Sequence, residues 1–205
     1  MAARQTTADE TRPGEAASAG DGARPLRADA RRNYELLVGA AREVFAEQGG
    51  EASMEAIAKR AGVGIGTLYR HFPKRIDVVE AVYRTDVDGL VQLAAALVEE
   101  RDPWPALVAW LEAFVKYAQT KRTFLSELYE AFEKNPQLKV ASRERLLDAM
   151  SSVLVRAQEA RIVRRDIQAE DVMALLGPMC TSPTLSSDQM ERLLVVVEDG
   201  LRAPS

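Results

Sequence analysis

From Ala28 to Leu201 the large apolar residues return every three or four positions, and no stretch alternates apolar with polar over the length of a strand. Side chains repeat their direction about every 3.6 residues on a helix and every second residue on a strand, so this pattern restricts the chain to helices. Tyr34, Leu37, Val38, Ala41, Val44 and Phe45 form the first stripe, which Gly49-Gly50 stops. Ser53 stands where it can cap a short helix running to Arg60 and ended by Gly62. Another short helix is expected from Ile65 to Tyr69, broken at Pro73, and then a long one carries Val78 through Leu97 to Asp102-Pro103.

Further stripes follow at Leu107–Ala118, Phe124–Phe132, Leu146–Ala157, Val172–Met179 and Met190–Leu201, with Ser186 and Gln189 spaced as a capping box before the last. The expected fold class is all-α with about nine helices and no internal repeat. Residues 1–27 are rich in Ala, Gly, Thr and Pro and hold almost no large apolar residue, so they are expected as a disordered tail. Its arginines, Arg4, Arg12 and Arg24, are expected in solvent rather than on a nucleic acid.

No apolar run reaches the roughly 18 residues of a membrane span, and no secretory leader pattern opens the chain. One cysteine, Cys180, permits no intrachain disulfide, and with one histidine it gives no zinc-ligand set; neither metal nor cofactor is expected. Cys180 is expected as a buried structural thiol and a reducing cytoplasm as the setting. The net charge of −4 conceals an asymmetry. Residues 27–75 carry nine Arg/Lys against six Asp/Glu, whereas residues 76–205 carry 15 against 21. A local basic field is what an anionic partner meets.

Inside the basic part, "AGVGIGTLYRHFPKR" (61–75) crowds three glycines into five positions. A dinucleotide loop needs glycine at its first, third and sixth positions after a strand; counted from Gly62 the sixth is Thr67, and a helix precedes it. A Gly-Lys-Ser/Thr phosphate loop is absent. The spacing fits a helix-turn-helix. Ala58 is small where two helices must approach, Gly62 follows where the turn needs positive φ, and Leu68 anchors the second helix, with Ile57, Ala61 and Val63 completing the contacts. Gly64 and Gly66 would let the start of that helix come close to a phosphate, which on this reading belongs to DNA.

Residues 53–82, "SMEAIAKRAGVGIGTLYRHFPKRIDVVEAV", resemble the DNA-binding signature of the TetR family of one-component regulators. The likeness runs through Ala58, Ala61-Gly62-Val63, Gly66-Thr67-Leu68-Tyr69, His71-Phe72 and the basic residue after Pro73, and "VRRDIQAEDV" (163–172) is family-like as well. The resemblance implies a DNA-binding domain at 28–75, and an effector-binding and dimerisation domain at 76–205. It implies that Thr67 reaches bases or phosphates, that Tyr69 and His71 bond the phosphate backbone, and that Arg75, with Lys74 beside it, meets a phosphate in place of the family's lysine. Ser53 is expected to touch phosphate. Gly64 departs from the usual serine or alanine, and Ile65 and Arg70 hold the variable positions that set operator sequence, with Arg70 suited to guanine.

The same resemblance implies a homodimer paired through the last two helices, by Val172, Leu175, Leu176, Met179, Leu193, Leu194 and Val197. It implies an effector pocket among the central helices, for which Trp110, Phe114, Tyr117, Phe124, Tyr129, Phe132 and Met150 are candidates, with Trp104 in the same aromatic set and Gln119 and Gln158 as further polar groups. Most of these are expected in the core, with about a third lining a cavity. The implied function is a repressor that binds a palindromic double-stranded operator and is released by an unidentified small molecule; an activator, or a regulator without a ligand, stays open. Location in the cytoplasm, on the nucleoid when bound, goes with it. An enzyme is not expected, since no catalytic constellation appears at a recognisable spacing and the lone His71 lies in the DNA motif. A helical adaptor or membrane-surface protein would spread its basic residues along a broad helical face.

Overall fold

Caps and first-turn prolines mark where several of the helices begin. The computed structural model describes residues 23–182 and 184–204, and among them stand nine α-helices: α1 (Ala23–Gln48), α2 (Met54–Ala61), α3 (Ile65–His71), α4 (Arg75–Glu100), α5 (Pro103–Arg122), α6 (Leu125–Lys134), α7 (Pro136–Glu159), α8 (Ala169–Thr181) and α9 (Ser187–Leu201). A short 3-10 turn at Gly49–Glu51 follows α1. Pro103 and Pro136 occupy first-turn positions, where no backbone N–H is needed. The carboxylates of Asp77 and Asp171 each accept the N–H of the residue before their helix, Lys74 and Gln168, at 2.8 Å. Ser186 and Gln189 form the expected reciprocal cap at 3.2 and 3.0 Å.

Helix α2 ends at Ala61 rather than Arg60, and two further boundaries differ from the sequence expectation. Helix α1 starts at Ala23 rather than Ala28, so the end of the expected tail, Arg24 included, falls within its first turns. Helix α3 runs on to His71, because Phe72 N–H closes one more turn on the Leu68 carbonyl at 2.8 Å before Pro73. Arg4, Arg12 and the rest of the expected tail lie outside the described residues.

Helix α4 is the spine, buried along Val78, Val79, Val82, Val87, Leu90, Ala94 and Leu97 and packed by α1, α5, α6 and α7. Trp110 is wholly buried, and its indole N–H donates to the Leu90 carbonyl at 3.1 Å, which satisfies the one polar atom of a large core side chain. The Phe45 and Phe124 rings meet at 5.1 Å, joining α1 to the start of α6. An ion pair between Arg42 and the mostly buried Asp86 ties α1 to α4. At the far end Val163 and Arg202 form an isolated antiparallel bridge, with Arg164 N–H on the Leu201 carbonyl and Ala203 N–H on the Ile162 carbonyl. The bridge clamps the segment before α8 against the end of α9.

Candidate DNA-binding interface

Helices α2 and α3 are too short to persist alone, and packing holds them. Ser53 Oγ accepts the Ala56 N–H at 3.1 Å and starts α2, whose Met54, Ile57 and Ala58 are buried. Gly62 then takes the left-handed conformation at φ 68°, where a Cβ would be strained, and the Val63 N–H returns to the Ala58 carbonyl at 3.1 Å. Leu68 and Phe72 fix α3 against this framework. On the other side of α2, Arg60 bonds Glu47 at 2.9 and 2.6 Å and Glu43 at 3.0 Å, docking α2 on α1. Its guanidinium, although in the basic segment, is thereby occupied.

The rest of the motif points outward. Gly64, Ile65, Gly66, Tyr69, Arg70 and Lys74 are exposed, as is Ser53, with Tyr69 at 44% and Ile65 at 40%. Thr67 and His71 are half-buried at the edge of the same face, and the His71 ring lies 6.5 Å from Tyr34. The carbonyl of Gly64 accepts from Thr67 and Leu68, so the Ile65 and Gly66 N–H groups remain at the open end of the helix. A Cβ built at Gly64 or Gly66 meets nothing within 4 Å. The fold therefore does not need glycine at either place.

Arg75 departs from the expected phosphate position. Its guanidinium turns inward over the Phe45 ring at 5.1 Å, donates to the carbonyls of Ala52 and Gly50, and pairs with Glu127 of α6 at 3.0 Å. The physical reason is local: two backbone carbonyls without helical partners and a half-buried carboxylate lie within its reach.

The candidate effector residues separate into three groups. Trp110, Phe124 and Met150 are fully buried and serve the core. Tyr129 is 53% exposed on α6. Phe114, Tyr117 and Phe132 come together with Tyr83 of α4 and Lys121 of α5. The Gln158 amide is engaged by the carbonyls of Arg164 and Ile167 at 3.0 Å each, and Gln119 lies near Met190. Trp104 is half-buried under the Arg202 guanidinium, 4.1 Å from its ring centre. Sequence reasoning missed Tyr83 and Lys121, because each sits at a helical position that reads as ordinary core or ordinary surface.

Of the residues expected to pair two copies, Val172, Leu176 and Leu194 are buried within the chain, Met179 and Val197 are half-buried, and Leu175 and Leu193 are exposed. Leu175 is 59% exposed and its unpredicted neighbour Val196 is 65% exposed; both border an apolar hollow of about 250 Å³ between α8 and α9. Cys180 is fully buried, and burial pushes its thiol up to about 11.

Comparison with known proteins decides the family. The model for bacterial regulatory proteins of the tetR family matches residues 37–82, and that for the C-terminal domain of SbtR-like transcriptional regulators matches 102–203. A TetR transcriptional regulator from Streptomyces coelicolor is 35% identical, with a TM-score of 0.74, covering 84% of this chain and 99% of its own. The chain belongs to the TetR family.

A second TetR regulatory protein, from Mycobacterium vanbaalenii, is 34% identical at a TM-score of 0.67, over 87% of this chain and 100% of its own. An HTH-type transcriptional regulator of Staphylococcus aureus (strain USA300) is 42% identical over 64 residues, 31% of this chain. The TetR chain spans about a third of the length of the curated relatives it matches, 35% in that case. These relatives are transcriptional regulators rather than enzymes, and this TetR protein is a transcriptional regulator with a DNA-binding helix-turn-helix. Among its described residues no helix is long and apolar enough to cross a membrane.

Proposed function

We propose that this TetR-family regulator is a repressor that binds a palindromic double-stranded operator as a homodimer and leaves it when a small molecule binds the central helices. The observation that carries the reading is the outer face of α3. Tyr69 and Arg70 are exposed on it and Lys74 is exposed beyond its end, while Gly64 and Gly66 at its start are not required by the fold itself. Glycine at a helix start lets backbone N–H groups approach a phosphate closely, and residues at the N-terminal end of a recognition helix face base edges. On this reading Ile65, Thr67 and Arg70 meet bases, while Ser53, Tyr69, His71 and Lys74 meet the backbone. The DNA-binding unit then ends near residue 75, and the remainder of the chain senses and dimerises.

Dimerisation is supported by the exposed apolar residues of α8 and α9, Leu175, Leu193 and Val196, which a second copy would cover. Two half-sites one helical turn apart require two recognition helices in fixed register, so a ligand that favours another spacing releases DNA. A regulator of this kind works where the chromosome is, in the cytoplasm and on the nucleoid. The test is binding to the DNA upstream of its own gene and to a genomic fragment library. Sequence-selective binding that weakens with salt supports the reading, and no preference over random DNA in either set refutes it.

A further inference from the structure

Lys121, near the end of α5, is surrounded by rings rather than carboxylates. Its Nζ lies 5.5 Å from the centre of the Tyr83 ring and 5.9 Å from those of Tyr117 and Phe132. The three rings come from α4, α5 and α6, and Tyr83 meets Phe132 edge to face at 5.3 Å. Among the described residues no carboxylate pairs with this ammonium within 4 Å. Burial, and then the like charge of Lys139, hold Lys121 below the ordinary lysine value.

One hydroxyl beside it is also unmatched. Tyr117 Oη is buried with no hydrogen-bond partner. Tyr83 and Ser142, both buried, bring their hydroxyls to the same neighbourhood. A desolvated cation without a counter-ion is costly, and ring faces offset only part of that cost. The cluster thus sets an ammonium and hydroxyl donors among apolar side chains, with no carboxylate paired to the ammonium. A groove of about 280 Å³ shares Tyr117 with the cluster and is otherwise lined by Arg42, Asp86, Leu90 and Lys116 among others. Apolar walls with a few converging polar groups suit an organic molecule, and the missing partner is an anion.

We propose that this cluster binds a small organic carboxylate, with Lys121 Nζ as counter-ion and the Tyr117 and Tyr83 hydroxyls donating to its oxygens. The proposal rests on the effector-released reading above and gives that effector its chemical class. It also accounts for keeping an unpaired ammonium among three rings.

The experiment is calorimetric titration of the full chain with benzoate, phenylacetate and octanoate, each against its neutral amide. The expected result is that at least one carboxylate binds, its amide binds at least about tenfold more weakly, and Lys121→Met loses the carboxylate by at least about tenfold. Tyr117→Phe, which removes only the orphan hydroxyl, should keep the fold and weaken the same carboxylate. Without ligand, Lys121→Met should melt no lower than the parent chain, because it removes a desolvated charge. Binding of no carboxylate up to about 10 mM, an amide that binds equally, or unchanged binding by both variants would overturn the proposal. A markedly lower melting point for Lys121→Met would also overturn it, by making the lysine a structural prop. None of these readouts involves DNA, so failure of the carboxylate site and failure of the repressor reading are separately visible.

Discussion

Arg75 and Glu127, 52 positions apart in the chain, meet at 3.0 Å and join the helix that follows the DNA motif to the first turn of α6. The same guanidinium covers Phe45 and takes the Ala52 and Gly50 carbonyls, so one side chain gathers α1, the 3-10 turn, α4 and α6. Both partners are less than a third exposed, so the pair is screened less than a surface ion pair.

Glu127→Gln is expected to lower stability by about 1 kcal/mol at neutral pH, and Arg75→Ala by more, since it also strands the Ala52 carbonyl. Burial pushes the Glu127 carboxyl up, but bonds from its own backbone N–H, Ser126 and Arg75 outweigh that and leave it below the ordinary value. A depressed carboxylate stabilises the fold above its unfolded pKa, about 4.3, and the contribution is lost as pH falls through the lower folded value. Melting curves from pH 7 downward should therefore show the parent chain losing more than Glu127→Gln in that acid window. Parallel curves would remove the pair from the stability account.

Gly62→Ala should cost about 1 kcal/mol, because the residue sits at φ 68° and open space around it does not relieve backbone strain. Denaturant titration measures it, and an unchanged midpoint would contradict the assignment of the turn.

Gly66→Ala separates fold from function. A Cβ there meets nothing within 4 Å, so the substitution should leave stability unchanged or raise it by about 0.5–1 kcal/mol. Gly66→Leu should be equally well folded and yet bind operator at least about tenfold more weakly, if that surface approaches DNA. Unimpaired binding by the leucine variant would show that α3 stands off from the groove.

Leu175→Glu should leave the monomer folded, as the residue is 59% exposed, and abolish pairing. Sedimentation velocity should find a dimer for the parent chain and a monomer for the variant, with operator affinity falling alongside. A dimeric variant would move the interface elsewhere.

Much of this was legible because it depends on neighbours in sequence. Helical periodicity, the Ser53 and Ser186 caps and the positive φ of Gly62 are all set within one or two turns. The inward turn of Arg75 was not legible, since a long cation reaches whatever anion the tertiary fold brings near, and Glu127 arrives from another helix. Lys121 was missed for the same reason: three rings from three helices converge on it. In α9 the apolar stripe offered Leu193 and Leu194 alike as pairing residues but could not separate Leu194, which closes the chain's own core, from Leu193, which is exposed.

The central claim is tested most directly by the affinity of the full chain for its upstream DNA at two salt concentrations, beside Tyr69→Ala. Tyr69 is 44% exposed on α3. The account predicts tight, sequence-selective binding that falls steeply with salt and drops by at least about tenfold in Tyr69→Ala, with no change in melting temperature. Equal affinity of the two proteins for that DNA and for random sequence, at both salts, would contradict it.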